Sequence, residues 1–133
     1  MTRLESEKKQ INKADKAIFE FLTDFNSFEK LMPERVINWR STTDTCSFTI
    51  QGTAGLGMQI IERQPNTLIK IADHGNVPFK FNLNVNIEST GMGTSLVQFV
   101  FDADMDPMLK MMASRPLTNF LNMLVDKLQG MDF

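Results

Sequence analysis

Three carboxylates at alternate positions, Asp102, Asp104 and Asp106, are the densest acidic group in this 133-residue chain. Their spacing resembles the start of a calcium loop. That chemistry needs glycine at the sixth position and glutamate at the twelfth, where the chain has Pro107 and Ala113. The run reads instead as the end of a strand followed by a helix cap, with no metal ligands assigned. His74, the single histidine, lies in the polar turn Asp73-His74-Gly75-Asn76. One loop histidine makes neither a nucleophile–base pair nor a zinc site, so it is placed at the surface or at a cavity mouth. Cys46, the single cysteine, falls on the apolar phase of its segment with Phe48 and Ile50. It is expected to be a buried, inert thiol, and it has no partner for an internal disulfide. Gly52, Gly55 and Gly57 match neither phosphate-loop nor dinucleotide fingerprints; they suit a turn, a bulge or a sheet bend. No residue is assigned a catalytic role, and no cofactor is expected.

The remaining polar candidates lie in stretches of period two. Asn38, Arg40, Glu62, Arg63 and Lys70 are assigned to a solvated convex face. A slip of one residue would exchange the two faces of any strand, and an inward Arg40 would suggest a ligand with a carboxylate headgroup.

The elements that must carry these residues follow from periodicity. A first strand is expected within residues 3–12. Asn12 can cap a helix, with Asp15 three residues on. Ala17, Ile18, Phe21, Leu22, Phe25, Phe28, Leu31 and Met32 then recur at spacings of three and four. Asp24 to Ser27 should divide this region into two short helices, and Pro33 should end the second. From Val36 to Met105 the period is two. Ile37 with Trp39, Cys46 with Phe48 and Ile50, Met58 with Ile60, Leu68 to Ile71, Phe79 to Ile87, and Val97 with Phe99 and Phe101 give six strands, each with an apolar face. Gln64-Pro65-Asn66 and Thr90 to Gly93 supply hairpin turns. Asp106-Pro107 opens a last helix of about 24 residues, roughly 35 Å long. Pro116 should kink or briefly break it near Ala113, and Gly130 should close it.

The predicted fold is therefore α+β in the order β-α-α-β6-α. It is a single domain over residues 1–133, with a curved antiparallel sheet of about seven strands wrapped around a long, kinked C-terminal helix. A one-sided sheet must cover its apolar face, and the last helix carries the only long apolar stripe. The space between them is expected to be a pocket lined by Trp39, Phe48, Ile50, Met58, Phe81, Leu83, Phe99, Phe101, Met112 and Phe120. Met112 is assigned to the inward stripe with Phe120, and Met108 and Met111 to positions flanking it. Ten methionines and eleven phenylalanines, with no tyrosine, suit an interior with few polar handles.

The segment Ile11–Leu22 (INKADKAIFEFL), Asp24-Phe25 followed by Phe28 and Met32-Pro33, Trp39 in the next strand, and Asp104 to Pro107 leading into Leu109 to Met112 together resemble the START-like, or SRPBCC, helix-grip superfamily. The likeness covers nearly the whole chain in element order. It implies the helix-grip fold and a cavity for a small hydrophobic ligand such as a lipid, isoprenoid or polyketide. Some members are cyclases, dehydratases or co-chaperones, but no catalytic motif of theirs maps onto residues here. The alternatives are a polyketide cyclase/dehydrase-like enzyme and a protein-interaction module with a filled core.

Charge narrows the partners. Fourteen basic residues against sixteen acidic give a net charge of −2, unlike the basic surface that nucleic acid requires. The N-terminus is polar, and no stretch approaches the roughly 20 apolar residues of a membrane span. The expected compartment is the cytoplasm.

Overall fold

The computed structural model describes residues 2–51, 55–75 and 77–131; Gly52 and Asn76 lie outside them. Eight strands form one antiparallel sheet: β1 (Thr2–Glu5), β2 (Lys9–Ile11), β3 (Val36–Ser41), β4 (Thr45–Ile50), β5 (Gly55–Gln64), β6 (Leu68–Asp73), β7 (Phe81–Gly91) and β8 (Thr94–Ala103). The spatial order is β1-β8-β7-β6-β5-β4-β3, with β2 also on β8. Two short helices, α1 (Asp15–Leu22) and α2 (Phe25–Phe28), run into a 3-10 turn at Glu29–Leu31, and α3 (Pro107–Gly130) follows the sheet.

The eighth strand arises because the N-terminal segment pairs with β8 in two pieces. At the break, the Ser6 N–H donates to the Phe99 carbonyl at 2.9 Å, and the Ser6 hydroxyl accepts from the Phe99 N–H at 2.9 Å. A short polar side chain replaces the missing ladder bonds there, so the buried backbone stays satisfied.

Alternation works best on β7, where Phe81, Leu83, Val85 and Ile87 are all buried. Across β8, Phe81 stacks on Phe101 with ring centroids 5.2 Å apart. Phe28 presses edge-on against Phe99 at 6.4 Å and against Phe25 at 5.6 Å, which ties α2 into the sheet. Phe79 falls just before β7 rather than in it, yet it still packs edge-on against Phe81 at 6.0 Å.

Two local expectations fail for clear reasons. Asn12 does not cap α1: the N-cap is Ala14, without a side-chain bond. Ile37 does not share the inward face with Trp39: it is 41% exposed. The pairing of β3 with β4 shifts between Ile37 and Arg40, and Asn38 takes a φ of +57°. This bulge adds a residue and reverses the phase, so Val36 and Trp39 face the core instead.

The Asp106 carboxylate caps α3 by accepting from the Leu109 N–H at 2.8 Å, and Pro107 follows at the first helical position. The helix runs unbroken through Pro116, so the proline produces no break near Ala113. It packs against β1, β2, β8 and the 3-10 turn.

Candidate functional site

The inner faces of β4, β5, β7 and β8 and the middle of α3 converge on one enclosed apolar space. Phe48, Ile50, Met58, Phe81, Leu83, Phe101 and Phe120, all expected in the lining, border it. So do Phe28 and Met32 from the short helical segment, Leu56 from β5, and Leu117, Leu121 and Leu124 from α3. The contribution from Phe28 and Met32 does not follow from the sequence, because helical spacing shows that a face is buried but not what it meets. Among the described residues, no ionisable side chain borders this space.

Its free volume is small, about 20 Å³. One water molecule needs roughly 10–15 Å³ on that measure. In this conformation the side chains fill the space between sheet and helix nearly completely, which corrects the expectation of a preformed pocket.

Three expected lining residues lie elsewhere. Phe99 is fully buried in the core beside Phe28. Trp39 is half-buried and stacks on Phe48, with centroids 5.3 Å apart. Its buried indole N–H has no hydrogen-bond partner among the described residues. Met112 is 70% exposed, against the expectation that it shares the inward stripe. At 3.6 residues per turn, Met112 lies about 150° around the helix from the centre of the stripe made by Leu117, Leu121, Leu124 and Leu128. Met108 and Met111 are exposed too, by 70% and 80%.

The two halves of α3 differ accordingly. Every fully buried position lies at or after Leu121. The first half holds Pro116, which has no N–H for the Met112 carbonyl. Nearby, the Ser114 hydroxyl donates to the Lys110 carbonyl, and the Thr118 hydroxyl donates to the Ser114 carbonyl at 2.8 Å. Such back-bonding to the residue four earlier weakens and bends helices.

The polar candidates are outside the interior. Asn38, Arg40 and Glu62 are exposed on the outer face and Lys70 is half-buried there, whereas the β5 bulge pairs Arg63 with the buried, inward Ile69 and so turns it to the inner side at the sheet's end, against its expected convex placement. Arg63 is tied to the Thr23 hydroxyl at 2.6 Å and paired with Asp44. Arg40 and His74 border a second, open trough on the outer face of β3, β4 and β5, with a volume of about 460 Å³. Cys46 is buried, and burial pushes its thiol up to about 12, far from a reactive thiolate at neutral pH. Asp106 is occupied as a helix cap, and no group of three or more potential metal ligands occurs among the described residues. No described helix is long and apolar enough to cross a membrane.

No protein-family model matches the chain, nor does any curated protein. Solved structures do. A START superfamily protein from Mycobacterium smegmatis superposes with a TM-score of 0.72 at 16% identity, over 96% of this chain and 94% of that one. Norcoclaurine synthase from Thalictrum flavum gives 0.74 at 10% identity, over 97% and 84%. The di-domain ARO/CYC protein BexL gives 0.76 at 13% identity, over 98% of this chain and 46% of that one. At these identities the likeness speaks for architecture alone, and it agrees with the strand order and the long last helix: the chain has the helix-grip fold that these structures share.

Proposed function

We propose that the protein binds and carries a small hydrophobic molecule, lipid-, isoprenoid- or polyketide-like, between the sheet and α3. One observation carries the reading: the space where sheet and helix meet is bordered by apolar side chains alone. A ligand held there gains by removing apolar surface from water and meets no unpaired charge. Because the closed interior holds about 20 Å³, well below the roughly 300 Å³ of small-molecule sites, uptake requires movement. The element to move is the first half of α3, which has no fully buried residue and a weakened hydrogen-bond ladder. Swinging the helix outward as far as Phe120, just before the buried Leu121, draws Leu117 and Phe120 away from the sheet. In this reading the protein works in the cytoplasm, and general acid–base chemistry has no ionisable group in the lining to act through.

A second reading is favoured by Met108, Met111 and Met112, exposed together on one helical segment. Flexible methionines suit a protein-binding face, and a filled core is compatible with that role.

Native mass spectrometry of protein purified from its own host, with thermal shifts against a panel of fatty acids and isoprenoid alcohols, decides between them. The carrier reading expects a co-purifying 1:1 apolar adduct, or a panel member that raises Tm and loses its effect in Phe120→Glu. No adduct and no shift across the panel would overturn it in favour of the interaction module.

A further inference from the structure

We propose that the outer face of β3, β4 and β5 carries a second binding site, for a small molecule bearing a carboxylate or phosphate group. The site lies across the sheet from the apolar interior, with Phe48 and Leu56 bordering both.

Alternation along β5 places positions 55 and 57 on the outer face, and both are glycine. Their cross-strand partners on β4 are Thr49 and Ser47. The missing side chains leave a trough whose floor is backbone and two hydroxyl-bearing residues. At about 460 Å³ it lies within the roughly 300–1,000 Å³ range of small-molecule sites.

Both walls depend on unusual backbone. On one side, the chain after β6 folds close over β5. The His74 N–H donates to the Gly57 carbonyl at 2.9 Å, and a Cβ at Gly57 would collide with the His74 carbonyl oxygen. Gly75, at φ +75°, then turns the chain. On the other side, the bulge at Asn38 reverses the phase of β3 and sets Arg40 opposite Ser47. A non-glycine residue at positive φ carries a local cost, and here it aims a guanidinium over the trough.

The lining has one sign of charge. Arg40 is the fixed charge, joined by the Asn38 amide, the Ser47 and Thr49 hydroxyls and the His74 imidazole, with no carboxylate among the described lining residues. Arg40, like Arg35 and Arg115, makes no ion pair among the described residues, and it alone of the three borders the trough. An unpaired planar fork beside hydroxyl donors matches a carboxylate or phosphate, which accepts two parallel N–H bonds.

The test is an amide-shift titration of the full chain at fixed ionic strength, with inorganic phosphate and benzoate as separate probes. Fixed ionic strength removes general screening. The proposal expects saturable shifts centred on Ser47, Gly57 and Gly75 with at least one probe, with a dissociation constant of order 1 mM. The tighter probe identifies the phosphate or the carboxylate class. Arg40→Gln should weaken binding at least tenfold, and Lys16→Gln, which removes a cation elsewhere, should leave it unchanged. Gly55→Leu keeps the charge and fills the trough. A Cβ there would sit 3.6 Å from both the Phe48 carbonyl and the Thr49 hydroxyl, an ordinary contact, so the fold should survive while affinity falls at least fivefold. Shifts that do not saturate, or shifts that follow every surface cation alike, would overturn the proposal. So would Arg40→Gln or Gly55→Leu binding like the wild type. Each result leaves the fatty-acid panel unaffected, so the two sites fail separately.

Discussion

The two halves of α3 are built from similar apolar residues and meet opposite environments. Leu124, Val125 and Leu128 are fully buried, while Met108, Met111 and Met112, about three to six turns earlier, are largely in solvent. The back half follows the stripe that faces β8 and β1. The front half turns its methionines away from that stripe and buries no residue fully, and Asp106 caps its start. Burial along one helix can therefore be uneven enough for one end to anchor the fold while the other is free to move.

The largest test of this contrast is Leu124→Ala. It should lower the unfolding free energy by about 2–5 kcal/mol through lost burial and a residual cavity, measured by urea denaturation. A loss below about 1 kcal/mol would mean the back half is not the anchor. A second contrast separates the two glycines of β5. Gly57→Ala should cost about 1–3 kcal/mol by forcing the His74 backbone off β5, whereas Gly55→Ala should stay within about 0.5 kcal/mol. Equal effects would refute the close approach of the chain after β6.

Removing the cap with Asp106→Ala should cost about 1 kcal/mol and should loosen the front half selectively. Amide exchange that quickens across Pro107–Arg115 but not across Leu121–Leu128 would show this. Met111→Ser should change stability by less than about 0.5 kcal/mol; a larger loss would place Met111 against a surface it does not touch in this structure. The last effect is a pH dependence seen only in alkaline solution. The buried Cys46 thiol is raised from 9.0 to about 12, so the folded state holds its proton where the unfolded chain has released it. That contribution is complete below pH 9 and is lost as pH rises towards 12. Cys46→Ala should flatten the alkaline fall in stability over that window.

Much of the fold was legible because one local rule governed each stretch. Phe81 to Ile87 alternate without exception, and all four apolar residues are buried. Asp106 before Pro107 marks a helix start, and the carboxylate makes the cap bond. Where two rules compete, the sequence does not decide. Ile37 and Trp39 alternate properly, yet Asn38 absorbs an extra residue and turns Ile37 outward. Met112 has helical spacing to Phe120, but over eight residues the angle drifts away from the stripe.

The site was less legible than the fold, for a different reason. Seven of the expected lining residues do border the interior, since strand phase fixes which side chains point in. Whether they leave a space depends on how Phe and Leu rotamers interlock, which spacing does not encode. The outer trough depends on the His74 carbonyl lying over Gly57, a contact between residues 17 apart that no local pattern announces. Its glycines could only be read as a turn, a bulge or a bend.

The central claim, that the front half of α3 opens to admit an apolar molecule, is tested most directly by hydrogen–deuterium exchange with and without a saturating panel of fatty acids and isoprenoid alcohols. The account predicts fast exchange across Pro107–Arg115 and slow exchange across Leu121–Leu128 in the free protein, with the front half protected once a panel member binds. Equal protection of both halves, unchanged by every member of the panel, would contradict it.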